Sequence, residues 1–211
     1  MFALNTNTVS LTSGFVKTYT VHMPYPAKTD PESILNAALE MLERDGPTAL
    51  SMRNLAQALE MKAPSLYRHY PDKAALETAL KFRGAELLQQ TLEPLLSNKP
   101  VQTLRKTANA YLQFSREHPY LYDLMHAVCN TPSIGATKKL WNTVLSVVGG
   151  ITGNPDDTAS SVAFWSFIHG FCSLERTGQF GPSGPKGGFE AGLEALIIGF
   201  SSAKKQRKLK L

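Results

Sequence analysis

Residues 51–73 constrain the fold of this chain more than any other stretch. Their apolar spacing predicts two short helices joined by a tight turn at residues 60–62. The first helix carries apolar residues at i, i+3, i+4 and i+7, namely Met52, Leu55, Ala56 and Leu59. The second helix is expected over residues 62–70 and is ended by Pro71. Two helices in this arrangement form a helix-turn-helix, which presents its second helix to the major groove of DNA.

The two predicted helices have distinct inner and outer sides. Leu55, Ala56 and Leu59 can pack with three residues on or near the second helix, namely Met61, Leu66 and Tyr70. The outer side carries donors for guanine edges and phosphates, together with small apolar contacts for thymine methyl groups. The predicted DNA-contact residues are Ser51, Arg53, Lys62, Ala63, Pro64, Ser65, Tyr67, Arg68, His69 and Lys73. Because short basic helices also occur in bundles that bind no DNA, the pattern alone leaves both interpretations open.

A family resemblance adds weight to the DNA-binding interpretation. Residues 30–91 resemble the DNA-binding region of the TetR family of repressors. The resemblance is carried by Leu50, Leu55, Ala56, Leu59, Pro64, Ser65, Leu66, Tyr67, His69, Tyr70 and Lys73. It implies a double-stranded DNA operator, a homodimer and a small-molecule effector. One departure is Glu60, where the family usually has Gly in the turn, so the chain must accept a left-handed residue at about 1 kcal/mol or reshape the turn.

Helical periodicity extends over almost the whole chain from Asp30, a predicted N-cap that precedes Pro31. No strand alternation is present, so the predicted fold class is all-α. Further helices are expected at residues 73–91, 101–117, 119–128, 133–149, 156–178 and 187–201. The predicted organisation is a disordered segment (1–29), a three-helix helix-turn-helix DNA-binding domain (30–75), a larger helical ligand-binding and dimerisation domain (76–202) and a basic flexible tail (203–211).

Net charge contributes little to the DNA-binding case. The formal charge is +5, and the last eight residues alone hold five positive side chains, Lys204, Lys205, Arg207, Lys208 and Lys210. Residues 31–83 hold seven basic and seven acidic side chains. The argument must therefore rest on where the charges lie.

The ordinary composition, with 43% hydrophobic and 18% charged residues, is typical of a globular protein. No stretch approaches the roughly 20 apolar residues of a membrane span. The first 22 residues do not resemble a signal peptide, so a cytoplasmic location is expected. Met23 is an alternative start of translation. Cys129 and Cys172 are expected to be buried free thiols.

The resemblance assigns ligand binding and dimerisation to the second domain. The Trp165, His169 and Gly170 spacing resembles the Trp-His-Gly subgroup of C-terminal regions. Aromatic residues with polar tips suit a largely apolar ligand, and the candidates are Tyr111, Phe114, His118, Tyr122, Met125, His126, Trp141, Trp165 and His169. Each of them also fits a plain core position. Residues 163–174 are apolar nearly all round, which predicts burial either in a core or in a subunit interface. The expected dimer contacts are Phe167, Phe171, Leu174, Leu193, Leu196, Ile197 and Phe200.

Enzymatic function is the main rival class. The sequence holds no H-E-x-x-H, G-x-S-x-G or C-x-x-C motif, and the loop at residues 181–188 lacks the spacing of a phosphate-binding loop. His126 and Cys129 lie three residues apart, but two ligands do not make a zinc site. We therefore expect no metal, no cofactor and no enzymatic activity. A second rival is a helical ligand-binding or scaffold protein that does not bind DNA.

Overall fold

The computed structural model describes residues 30–127 and 135–208, and within these ranges it contains nine α-helices and no β-strand. The helices are α1 (Pro31–Asp45), α2 (Met52–Ala58), α3 (Ala63–Tyr67), α4 (Lys73–Leu92), α5 (Pro100–Glu117), α6 (Pro119–His126), α7 (Gly135–Thr152), α8 (Thr158–Arg176) and α9 (Gly188–Lys208). A short 3-10 turn, Glu93–Leu95, follows α4. The all-α prediction is confirmed.

Side-chain caps define the helices of the N-terminal region. Asp30, Ser51 and Asp72 each accept the backbone N–H three residues further on, at 2.8, 3.1 and 2.7 Å respectively. Each cap satisfies one of the N–H groups that a first helical turn leaves without a partner. Gly46 ends α1 with a φ of 80°, a left-handed backbone that glycine adopts at no steric cost.

The long helix α4 connects the two parts of the protein. It packs against α1 at one end and against α5, α6 and α7 further along. Its inward side includes Leu76, Leu80 and Leu88, each with 1% or less of its surface exposed. One continuous apolar core thus runs from the helix-turn-helix into the larger helical domain. A displacement of α6 or α7 can therefore be transmitted to α1 through α4.

Several predicted boundaries need correction. The second helix of the helix-turn-helix is shorter than residues 62–70, because His69 and Tyr70 both donate to the Leu66 carbonyl and Pro71 disfavours helical geometry before it. Helix α9 continues to Lys208, beyond the helix end predicted at residue 201 and into the predicted tail. Good helix formers (Ala, Lys, Gln and Arg) follow Phe200 without a Gly or Pro. The predicted disorder at residues 1–29 and the end of the tail, 209–211, lie outside the described residues.

Residues 163–174, expected to be buried in a core or in a subunit interface, are only partly buried within one chain. One side of α8 is buried and includes Phe164, Ile168 and Cys172, whereas Trp165 and Leu174 are 42% and 46% exposed. Cys172 is a buried free thiol as predicted, and Cys129 lies outside the described residues. Within residues 30–127 and 135–208, no helix combines the length and the apolar character that a membrane crossing requires.

Candidate functional site

The turn between α2 and α3 is built around a left-handed Glu60. This residue has a φ of 52°, its N–H donates to the Gln57 carbonyl at 3.1 Å, and Met61 N–H donates to the Ala56 carbonyl at 2.8 Å. The two bonds together form a Schellman motif, a common end of a helix. The turn thus keeps the geometry that suits glycine, and Glu60 adopts it at a conformational cost of about 1 kcal/mol.

The inner side of the helix-turn-helix packs as predicted. Leu55, Ala56, Leu59 and Leu66 are all buried, and Met61 and Tyr70 pack against the same core. The Tyr70 hydroxyl donates to the Pro31 carbonyl at 3.0 Å, which ties the end of the helix-turn-helix to the start of α1. These contacts fix the direction in which α3 points.

The opposite side of the helix-turn-helix is open to solvent. Seven of the ten predicted DNA-contact residues in and beside it are exposed, namely Arg53, Lys62, Ala63, Pro64, Tyr67, Arg68 and Lys73. Ser65 and His69 are half-buried, and an Arg68 guanidinium nitrogen lies 3.5 Å from the Ser65 hydroxyl. Ser51 and Lys73 have partners within the chain. Ser51 caps α2 through its side chain, and Lys73 lies 3.5 Å from the Glu77 carboxylate at the start of α4.

Four predicted ligand-contact residues meet in a hydrogen-bonded group, the Tyr–His cluster (Tyr111, Tyr122, His126 and His169). The Tyr122 hydroxyl lies 2.7 Å from His169 Nδ1, and the Tyr111 hydroxyl lies 3.2 Å from His126 Nε2. The two imidazole rings have their centroids 4.2 Å apart. Helices α5, α6 and α8 each contribute to this cluster.

Burial keeps the members of the Tyr–His cluster uncharged. Desolvation, together with the neighbouring His169, lowers the pKa of His126 to about 4, and desolvation also lowers the pKa of His169. Desolvation raises the pKa of Tyr111 to about 12. It also raises the pKa of Tyr122. At neutral pH the cluster therefore holds two neutral imidazoles and two protonated hydroxyl groups.

A small apolar cavity lies beside the cluster. It measures about 30 Å³ and shares Tyr111 with the cluster. Its other lining residues come from α4, α5, α7 and α8 and are Leu92, Thr107, Thr143, Val144, Val147, Phe164, Trp165 and Ile168. Trp165 packs edge-on against Trp141, with the ring centroids 6.5 Å apart. A cavity of this size holds about one water molecule, so a drug-sized ligand requires side chains to move apart.

The last three predicted ligand residues, Phe114, His118 and Met125, lie outside both the cluster and the cavity lining. Phe114 and His118 pack on each other with centroids 4.8 Å apart, and His118 Nδ1 lies 3.8 Å from a Glu43 carboxylate oxygen. Met125 packs close to Gly84 of α4. These side chains lie where α5, α6 and the N-terminal helices meet, and they contribute to packing between the two parts of the protein.

The predicted dimer residues also need correction. Phe171, Leu193, Ile197 and Phe200 are buried within one chain, because they face the core that α8 and α9 share with α5 and α7. Phe167 and Leu196 are half-buried and pack against the same core. Of the seven residues, Leu174 alone is largely exposed. Helical periodicity identified an apolar side of α9 correctly but assigned it to the wrong partner.

Sequence reasoning missed one contact that joins the two parts of the protein. A Glu43 carboxylate oxygen in α1 accepts the Leu121 N–H at the first turn of α6, at 3.0 Å. Burial raises the pKa of Glu43, and this backbone bond and the nearby His118 partly offset that effect. The pairing joins residues 78 positions apart, so no local pattern could have predicted it.

The fold and the exposed side of α3 define a helix-turn-helix protein with a second, larger helical domain. Residues 34–80 match the family profile "Bacterial regulatory proteins, tetR family", and residues 104–196 match "Tetracyclin repressor-like, C-terminal domain". A transcriptional regulator of the helix-turn-helix type from Mycobacterium tuberculosis is 31% identical over 163 residues, which cover 72% of this chain and 73% of that relative. The chain belongs to the TetR family of transcriptional regulators, which are not enzymes.

Other relatives agree over shorter stretches or in fold. The class D tetracycline repressor of Escherichia coli is 44% identical over 54 residues, which cover 26% of this chain and 25% of that protein. A TetR variant from Acinetobacter baumannii, solved with minocycline, has a TM-score of 0.64 at 22% identity and covers 84% of this chain and 99% of its own. Apo ActR from Streptomyces coelicolor has a TM-score of 0.65 at 18% identity and covers 87% of this chain and all of its own. At these identities the two structures establish the fold.

Proposed function

We propose that this protein is a cytoplasmic repressor that binds a palindromic DNA operator as a homodimer and releases it when a small, largely apolar ligand binds the second domain. The observation that carries the proposal is the solvent-exposed side of α3. There Lys62, Ala63, Pro64 and Arg68 are exposed on or beside a helix whose inner side is anchored by buried Leu66.

The exposed side chains suit two kinds of DNA contact. Lys62 and Arg68 can donate to guanine edges, and Ala63 and Pro64 can meet thymine methyl groups. Three residues flank them and suit phosphate oxygens, namely exposed Tyr67, half-buried His69 and exposed Lys73. Ser51 and Arg53 at the start of α2 suit phosphate oxygens as well. Phosphate contacts fix the register of the protein on the duplex, and base contacts then select the sequence.

We infer that dimerisation uses the outer faces of α8 and α9, and that of the seven residues first expected only Leu174 takes part. The outer face of α8 exposes Val162 and Leu174, and that of α9 exposes Ile198. A Cβ added to Gly170 or Gly199 meets no atom within 4 Å, so both backbones are open to close approach by another helix. Two copies packed on these faces form a four-helix seam, and the two recognition helices then match a two-fold operator.

Ligand response requires a route from the second domain to α3, and α6 provides one. Its residues Tyr122 and His126 belong to the Tyr–His cluster, and its first turn is held by Glu43 of α1. A ligand that separates α6 from α8 would shift this turn and change the spacing of the two recognition helices. The ligand shifts the equilibrium from the operator-binding conformation to the released conformation. The size of this shift is set by the difference between the ligand's binding free energies for the two conformations.

Selection from a pool of random duplex DNA tests the function directly. The wild-type protein should enrich an inverted repeat whose half-sites lie about one helical turn apart. Binding to that repeat should weaken steeply as salt rises, because phosphate contacts release counterions. A selection that enriches no sequence contradicts the proposal.

A helical ligand-binding protein without sequence-specific DNA binding is the second candidate. Exposed Glu60 favours it, because a carboxylate beside the recognition helix repels phosphates. Under this alternative the same selection yields DNA with no common sequence, and a Glu60→Gln variant enriches none either.

A further inference from the structure

The outer ring nitrogens of the Tyr–His cluster provide information on ligand chemistry. Tyr111 holds Nε2 of His126, and Tyr122 holds Nδ1 of His169. The opposite nitrogens, Nδ1 of His126 and Nε2 of His169, have no hydrogen-bond partner among the residues that the structure describes. Both rings are only partly buried, and neither outer nitrogen is among the fully buried polar atoms without a partner, so both nitrogens are open to an incoming group.

The hydrogen-bond pattern assigns the protons. The two hydroxyl groups keep their protons at neutral pH, since burial raises the pKa of both tyrosines. We assign each hydroxyl proton to the ring nitrogen that the hydroxyl contacts, because these distances of 3.2 and 2.7 Å are shorter than the 3.5 Å between the two hydroxyl oxygens. The remaining proton of each ring then lies on the outer nitrogen. The cluster offers two N–H donors on rings whose centroids are 4.2 Å apart.

The charged groups around the rings are paired with each other. Arg176 lies 5.9 Å from the centroid of the Tyr122 ring and is bonded to Asp123, and Arg116 is bonded to Glu175. Cys172 is buried and neutral, since burial raises the pKa of its thiol. Among the described residues, no carboxylate bonds to either imidazole. The site therefore lacks the negative charge that a cationic ligand would require.

We propose that His126 and His169 bind the carboxylate of an aromatic or apolar carboxylic acid, whose hydrocarbon part enters the cavity beside Trp165 as the cavity walls move apart. One carboxylate can accept from both rings, because each of its oxygens accepts an N–H at about 2.9 Å. The cavity walls are almost entirely apolar, which suits an aromatic ring or an alkyl chain. This inference rests on the proposed ligand-responsive function and names the chemical class of its effector.

Binding of an acid to this pair has a second consequence. A carboxylate placed against an imidazole favours the protonated form, so the complex takes up a proton that the free protein does not hold. The proton binds the inner ring nitrogen, and the tyrosine hydroxyl there turns from donor to acceptor. The affinity for the acid therefore increases as the pH falls from 8 to 6, by up to tenfold per pH unit for one proton taken up. A neutral ligand shows no such dependence.

Matched acids and amides test the proposal. The probes are benzoate, phenylacetate and 3-phenylpropionate, each beside its primary amide, with binding followed by tryptophan fluorescence and calorimetry. At least one acid should bind tenfold or more tightly than its amide at pH 6. A series in which no acid binds more tightly than its amide overturns the proposal.

Variants locate the effect. The His126→Gln/His169→Gln double variant should lose the preference for the acid and its pH dependence while retaining operator binding. Asn109→Ala, on the exposed side of α5, should leave both unchanged. A double variant that still prefers the acid tenfold overturns the assignment of these two residues.

Operator binding separates this inference from the proposed function. If an acid binds through the two histidines but leaves operator affinity unchanged, the carboxylate site stands and the ligand-responsive part of the proposed function fails. If a neutral compound releases the operator equally well in the double variant, the regulator stands and the carboxylate site is overturned.

Discussion

Glu43 in α1 accepts the backbone N–H of Leu121 in α6 at 3.0 Å, and this bond joins the DNA-binding part of the chain to the larger helical domain. It serves as an N-terminal cap for α6 that comes from another helix rather than from the residue before it. His118, the residue at the cap position itself, contributes no side-chain capping bond. The orientation of α6 therefore depends on α1, and that of α1 on α6.

Removal of this cap should weaken both folding and coupling. Glu43→Ala leaves the Leu121 N–H without its partner, so we expect a loss of about 1–2 kcal/mol in the free energy of unfolding. The variant should also respond less to any ligand that releases the operator. Chemical denaturation and operator titration with and without ligand measure the two effects. Glu40→Ala, at an exposed position of the same helix, is the control and should change neither.

Glu60 predicts an unusual stabilising substitution. Glu60→Gly removes the strain of a φ of 52°, so the free energy of unfolding should rise by up to about 1 kcal/mol. Glu60→Gln removes the charge but keeps the strain, and it should leave the stability nearly unchanged. Denaturant titrations of the three proteins check this. If Glu60→Gly is less stable than the wild type, the Schellman geometry at this turn is wrong.

The buried imidazole of His126 predicts a pH dependence of stability. The unfolded chain protonates this residue near pH 6.5, whereas the folded protein does so only near pH 4. Between these values the unfolded state binds more protons, so the free energy of unfolding falls as the pH falls, by at most about 3 kcal/mol. Unfolding titrations at pH 7.5, 5.5 and 4.5 should show a smaller loss for His126→Gln. Equal losses in both proteins would contradict the burial of this ring.

The outer face of α9 predicts which substitution breaks the dimer. Ile198 is 64% exposed, and Ile198→Arg should place unpaired charges in the proposed seam. The dissociation constant of the dimer should rise by about tenfold or more, which corresponds to roughly 1.4 kcal/mol. Sedimentation velocity at several concentrations measures this constant. Gln102→Arg, at an exposed position of α5, adds the same charge and should leave it unchanged.

The elements that depend on local chemistry could be predicted from sequence. Asp30, Ser51 and Asp72 cap the helices expected of them, because a cap depends on residues three positions apart. The spacing of Leu55, Ala56 and Leu59 predicted their burial for a similar reason. The left-handed backbone at Glu60 was one of two outcomes that the family resemblance allowed, and the other was a reshaped turn.

The misassigned residues depend on tertiary partners. Periodicity shows that Leu193, Ile197 and Phe200 share one side of a helix, but the same pattern suits a core within the chain and a seam between two chains. The Tyr–His cluster joins three helices, so its members could be proposed as candidates but their pairing could not. Phe114 and His118 have the same residue types and pack elsewhere.

The affinity of an Arg68→Ala variant for an operator selected by the wild-type protein tests the central claim most directly. Arg68 lies exposed beside α3, and its removal should cost about 1–3 kcal/mol of binding free energy. If Arg68 contacts a base, the variant should also show a relaxed base preference at one position of each half-site. Arg44→Ala removes an exposed arginine of α1 that is paired with Asp45, and it should bind like the wild type. If the two variants bind the operator equally well, α3 is not the recognition helix.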